Sequence, residues 1–285
     1  MLRIICPTGC LTKISTPLRS RFGFQGCSGT RLYGTRDHAL TSRRTYILSL
    51  DEQKNKYRAL DDWFKTPQGR YVGEAWAECL MSASDRLHGA SLLQLGVCGE
   101  NPWLAPLSYR RQWLLTPCVG TLNASLVVSL TRLPLDRNSI DCIIAPLTME
   151  AFGRDKNPLD EIDRVLKPMG HVVFFGINPL SMWGLALRLG YLSCFGDCSG
   201  MLMSPLMLKQ SLFERGYCQC LFDTFYYIPP LKHSSMIEGL AFLNEMGKMV
   251  APSPSGFYCL IVQKMQYCQP SRLVQVKAPL LVHGV

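Results

Sequence analysis

Thirteen cysteines and five histidines are the residues of this 285-residue chain that first suggest a metal or a nucleophile. Their spacing argues against both. No C-x-x-C occurs, and the closest cysteine pairs are Cys6/Cys10, Cys194/Cys198 and Cys218/Cys220. His38, His88, His171, His233 and His283 are scattered with no i,i+4 pair. Structural zinc needs converging ligands at short spacings, so no metal site is expected. Cys142, Cys218, Cys220 and Cys259 stand in apolar runs, where a thiol acts as a small hydrophobe in a reducing, cytoplasmic setting. No G-x-S-x-G offers a hydrolase nucleophile. The i,i+4 carboxylates Glu74 and Glu78 read as a solvated helix face, and no general base stands out. What remains is a loop. Gly96-Val97-Cys98-Gly99-Glu100 follows a short apolar run at 91–95. A glycine there lets backbone approach a ligand closely, though an ordinary strand-to-helix turn uses the same residue.

The elements around that loop read as alternating strands and helices. Thr66-Pro67 supplies a hydroxyl N-cap and a proline at the first helical position, predicting a helix to about Leu87, stopped by Gly89. Strands are expected at 91–95, 113–115, 126–130, 142–145, 171–176, 218–228 and 257–263. Helices are expected from Pro158, from Pro205 to Gly216, and at 237–249. Lys167-Pro168-Met169-Gly170 reads as a turn. The pattern predicts an α/β fold, a Rossmann-like, mainly parallel sheet flanked by helices in a single domain. Residues 1–50 hold eight Lys/Arg against one Asp and no hydrophobic periodicity, so they read as a basic tail, a misassigned start or a targeting segment. Residues 51–90 form a helical entry, 91–265 the core and 266–285 a second tail. The net charge of +9 sits in the ends, because residues 51–265 are neutral, so no nucleic-acid partner is expected. The most apolar region, 172–195, is broken by Asn178, Pro179 and Arg188, which argues against a transmembrane segment.

Several motifs in the core resemble one family. Leu133-Pro134-Leu135-Asp136-Arg137-Asn138-Ser139-Ile140-Asp141 is similar to an "LPF-x-x-x-S-F-D" run, and 161–171 to "E-h-x-R-V-L-K-P-G-G". Residues 206–217 resemble a late "L-x-x-x-L-x-x-x-G-F" helix. Trp63, Thr66, Pro67, Gly69 and Arg70 match "W-x-x-T-P-x-G-R", while Gly176, Asn178, Pro179, Ser181, Trp183 and Gly184 match "G-x-N-P-x-S-x-W-G". These are the motifs of class I S-adenosylmethionine-dependent methyltransferases, in particular of a small bacterial group of the methyltransferase-type-11 kind. The resemblance covers about residues 60–265.

It implies S-adenosylmethionine as cofactor, held by Gln94, Gly96, Gly99 and Glu100 at the first loop, Leu133 and Pro134 at the adenine, and Ala145 and Pro146 at the methyl group. It places Asn178, Pro179 and Trp183 on the side of a small-molecule acceptor, although Asn178 serves equally well as a cap for the next helix. The stretch 182–195 with Met201 and Met203 is either a lid over an apolar acceptor or a helix packed on the sheet. The sequence departs from the family at the cofactor loop, which usually reads acid-x-Gly-x-Gly-x-Gly. Here Gln94 replaces the acid, Gly96 alone is in register, and Glu100 is the nearest substitute carboxylate. No acid follows Trp113-Leu114-Leu115-Thr116-Pro117, where the family holds the ribose, and Leu130-Thr131-Arg132 stands where another is expected. Two functions stay open: a methyltransferase with a relaxed cofactor loop, or a methyltransferase-like pseudo-enzyme acting as a binding or regulatory module.

Overall fold

The computed structural model describes residues 37–121, 123–152, 158–196, 200–250 and 254–265. Two compact units divide the chain, residues 1–42 and 43–285, and the sheet lies in the second. The expected tails at 1–36 and 266–285 lie outside the described residues.

Helix α1, Asp37–Phe64, begins well before the expected start near residue 51. The turn after it shows why its motif has those residues. Thr66 Oγ1 accepts the Gly69 N–H at 3.2 Å and donates to the Trp63 carbonyl at 2.6 Å, so helix α2, Pro67–Ala83, starts as a capped helix with proline at its N-terminus. A Cβ on Gly69 would stand 2.3 Å from the Trp63 carbonyl oxygen, so only glycine lets the two helices meet this closely.

A seven-stranded sheet follows: β1 Ser91–Leu95, β2 Arg111–Thr116, β3 Leu126–Val127, β4 Ile140–Pro146, β5 Leu166–Ile177, β6 Tyr217–Phe225 and β7 Phe257–Lys264. Its order is β3-β2-β1-β4-β5-β7-β6, parallel except where β7 runs antiparallel to both neighbours. β1 and β4 are buried almost throughout, as apolar runs between two helical layers must be. Between the strands lie α3 Thr148–Phe152, α4 Leu159–Val165, α5 Met182–Arg188, α6 Pro205–Glu214, α7 Ser234–Gly239 and α8 Phe242–Val250. No helix among the described residues is long and apolar enough to cross a membrane.

Three sequence expectations are corrected. The helix at 237–249 is two helices, because the chain turns at Leu240 and Ala241. The strand at 126–130 shortens to two residues. The turn at Lys167–Gly170 is part of β5, which absorbs the irregularity as a register shift opposite Ile140–Cys142, with Met169 at φ +64°.

The Asp of the "S-x-D" motif locks β4 to β1. Asp141 Oδ2 accepts the Ala90 and Ser91 N–H groups at 3.1 and 3.0 Å and the Ser91 hydroxyl at 2.7 Å, while Oδ1 meets Lys167 Nζ at 2.7 Å. Burial pushes this carboxyl up, but the Lys167 and Ser91 bonds outweigh it and hold it below its ordinary value. Asp141→Ala is expected to cost about 2–3 kcal/mol, since hydrogen bonds to a charged acceptor are lost and two amides lose their partner. Urea unfolding measures this directly. Because the folded-state value is depressed, the wild type gives up the part of this contribution that depends on the charge as pH falls through the carboxylate range, and the gap between the two proteins narrows there.

Candidate functional site

In a parallel sheet, ligands bind beyond the carboxyl ends of the strands where the order reverses. Here that point lies between β1 and β4. The loop leaving β1 bends through two left-handed glycines, Gly96 at φ +94° and Gly99 at φ +60°. Gln94, which replaces the family's acid, is fully buried beneath it. Its amide donates to the Gly96 carbonyl at 2.7 Å and to Asn101 Oδ1, and its oxygen accepts the Trp103 indole N–H at 3.0 Å. Asn101 in turn accepts the Cys98 N–H and donates to the Gly99 carbonyl. Gln94 and Asn101, of which the sequence reading named only the first, therefore brace the loop from inside. Glu100 points elsewhere: exposed, it lines a cavity of about 250 Å³ with Lys65, Arg70 and Glu74.

The Leu133-Pro134 loop is held by the helix motif downstream of it. Arg164 donates to the Leu133 and Leu135 carbonyls, both at 2.7 Å, and pairs with Glu161, whose Oε2 accepts the Leu133 N–H at 3.0 Å. Two motifs far apart in sequence thus form one unit. Leu133 is buried within it and Pro134 is exposed.

Ala145 and Pro146 end β4 and are buried. Beyond them lies Glu150, a residue the sequence reading did not single out. Its side chain has no solvent exposure. Oε1 accepts the Ile177 N–H at 3.1 Å at the end of β5, and Oε2 has no partner. Tyr57, Tyr258 and Cys194 face it electrostatically from α1, β7 and the chain after α5. Burial drives this carboxyl up to about 8, against the pull of the backbone amides. The only signal for it in the sequence is an acid set among Met149, Ala151 and Phe152, in a segment that is buried throughout.

After β5, Asn178 serves the turn. Its Oδ1 accepts the Leu180 N–H and its carbonyl accepts the Ser181 hydroxyl, while Ser181 is the cap of α5, accepting the Gly184 N–H at 3.1 Å. Pro179 is half-buried beside it. Trp183 is inside the core, its indole N–H on the Ile228 carbonyl at 2.8 Å and its ring against Trp63, Tyr226 and Phe257. The outer side of α5 exposes Met182, Leu185 and Arg188, with the exposed Leu189 at its C-cap and Leu180 and Tyr191 flanking it. Among the described residues no three His, Cys, Asp or Glu side chains converge as a metal site.

Helix α1 closes over these strand ends. An added Cβ on Gly96 would lie 2.4 Å from the Tyr57 ring, so the ring rests directly on the loop. Asp61 Oδ1 accepts the Gly99 N–H at 2.8 Å. Past β2, where the family's ribose acid would stand, Cys118 Sγ donates to the Lys54 carbonyl at 3.1 Å. With α1 seated, the Tyr57 ring and the Asp61 carboxylate stand against the backbone of this loop, where the resemblance sets an S-adenosyl ligand. The seat is imperfect. Gln53 Oε1, Tyr57 Oη and Glu150 Oε2 are buried without a hydrogen bond, at a cost of about 1–3 kcal/mol each.

Residues 110–174 match the family described as "Methyltransferase domain". The fold is similar to a SAM-dependent methyltransferase from Thermotoga maritima, described as a possible histamine N-methyltransferase. That similarity has 14% identity and a TM-score of 0.53 over 73% of this chain and 99% of that one. It is also similar to a structure of the Haloferax volcanii Trm112 methyltransferase activator in complex with a putative methyltransferase, at 16% identity and a TM-score of 0.50, again over 73% and 99%. No curated protein matches in sequence. Residues 110–174 thus match a methyltransferase-domain family, and the sheet around them has the fold of the class I S-adenosylmethionine-dependent methyltransferases.

Proposed function

We propose that this protein transfers a methyl group from S-adenosylmethionine to an apolar small molecule. The observation that carries the choice of acceptor is α5. A surface helix ordinarily turns a polar face outward, yet Met182, Leu185 and Leu189 are each more than half exposed opposite the buried Trp183, Ala186 and Leu187. A contiguous exposed apolar patch beyond the carboxyl end of β5 favours a ligand of the same character. Asn178 and Pro179, at the root of that helix, and Ala145 and Pro146, at the end of β4, are the residues this reading sets nearest the exchange. The free thiols of all eight described cysteines favour a reducing, cytoplasmic setting.

The test uses methyl-labelled S-adenosylmethionine and a small-molecule extract. The label is expected in the organic phase after solvent extraction. Label confined to polar metabolites would contradict an apolar acceptor.

A second reading is favoured by α1. With Tyr57 on Gly96 and Asp61 on Gly99, and with no acid after β2, the chain resembles a module whose groove is permanently filled, a pseudo-enzyme that binds or regulates. No transfer and no cofactor binding would favour it.

A further inference from the structure

The contacts between α1 and the strand ends fall on two loops. Tyr57 and Asp61 are four apart and project together onto the loop after β1, Tyr57 on Gly96 and Asp61 on Gly99. The Lys54 backbone carbonyl meets the loop after β2, accepting the Cys118 thiol at 3.1 Å. Between them Lys56 Nζ reaches the Ala151 carbonyl at 3.2 Å, next to Glu150. The loops after β1 and β2 are therefore both met by the chain's own helix. The groups trapped there are not matched to one another, since Gln53 Oε1 and Tyr57 Oη on the helix and Glu150 Oε2 beneath it all lack a hydrogen bond. Tyr57 lies beside the Thr148 hydroxyl, which donates to the Pro146 carbonyl at 3.4 Å. The helix therefore covers the loop with contacts that leave some of its buried polar groups unpaired.

We propose that α1, over residues 50–64, is a displaceable occupant of the cofactor groove: an S-adenosyl ligand enters by lifting Tyr57 and Asp61 off the Gly96–Gly99 loop, so helix and ligand exclude each other. The inference rests on the proposed function, in that the groove must take an S-adenosyl ligand at all. Mutual exclusion has a thermodynamic signature. The apparent affinity is the intrinsic affinity reduced by the fraction of molecules with the helix raised, so loosening the helix tightens the ligand.

S-adenosylhomocysteine is the probe, and the full chain is titrated as wild type, Tyr57→Ala and Asp61→Ala. The second variant removes the acceptor of the Gly99 N–H at a partly exposed position and guards against misfolding of the first. Both variants are expected to bind at least about tenfold more tightly than wild type. Amide exchange across 50–64 is expected to accelerate in wild type when the probe is added. Binding by the variants alone supports the inference equally. Unchanged or weaker binding by both variants, with exchange across 50–64 slowed by the probe, makes α1 a clamp over the ligand and overturns the inference while leaving the methyltransferase reading intact. No binding by any of the three proteins overturns both.

Discussion

Glu150→Gln stabilises the folded protein, by about 3 kcal/mol at pH 7 and about 5 kcal/mol above pH 8. Glu150 is held near 8 by complete burial, whereas the same carboxyl in the unfolded chain ionises near its ordinary 4.5. The folded state keeps a proton that the unfolded state releases. The sign follows: the folded state suffers no penalty below about pH 4.5, loses stability progressively as pH rises from there to 8, and levels off beyond. Glutamine cannot ionise, and it retains an oxygen for the Ile177 N–H. Every charged or titratable group packed around Glu150 argues the same way. Tyr57 and Tyr258 carry unpartnered hydroxyls, the Cys194 thiol is itself pushed up by burial, and Lys56 is committed to Glu52 and the Ala151 carbonyl. Urea unfolding of both proteins at pH 5, 7 and 8.5 should show the stability gap widening with pH. Parallel curves would mean that Glu150 is ionised and compensated in the folded state.

The largest loss is expected at Trp76. Its ring stacks on Phe175 of β5 at 4.4 Å and 3°, and Phe64, Trp103 and Phe257 meet its other sides. One side chain on α2 thus ties α1, the chain after β1, and two central strands into a single aromatic cluster. Trp76→Ala removes that contact area and leaves a cavity, with an expected cost of about 3–5 kcal/mol, a large share of the whole stability of a domain. The indole Nε1 is buried without a partner, so Trp76→Phe should recover most of the loss, because it also removes an unsatisfied donor. Urea midpoints measure both. A cost below about 1 kcal/mol for the alanine variant would show that the cluster rearranges to fill the gap.

The elements legible in the sequence are those whose local pattern and tertiary fate agree. The apolar runs at 91–95 and 142–145 become buried central strands, and Thr66-Pro67 caps the helix it predicts. The "L-P" loop and the "E-h-x-R" helix were recognisable separately, and Arg164 shows why they recur together. Less legible was anything set by contacts across the chain. The direction of β7 is invisible in an apolar run. The start of α1 at Asp37 falls in a basic segment without hydrophobic period. Glu150 was passed over because an acid in a short loop reads as solvated until burial is seen. At the loop after β1, what packs where the expected acids are missing is tertiary: Tyr57 and Asp61 come from a helix more than thirty residues upstream.

The central claim is that this fold still takes an S-adenosyl ligand despite its altered loop and seated helix. Calorimetric titration of the full-length wild type with S-adenosylhomocysteine tests it most directly. Saturable one-to-one binding with a dissociation constant below about 1 mM is the predicted result, weak because α1 must leave first. No heat of binding at millimolar ligand, in wild type and Tyr57→Ala alike, would contradict it.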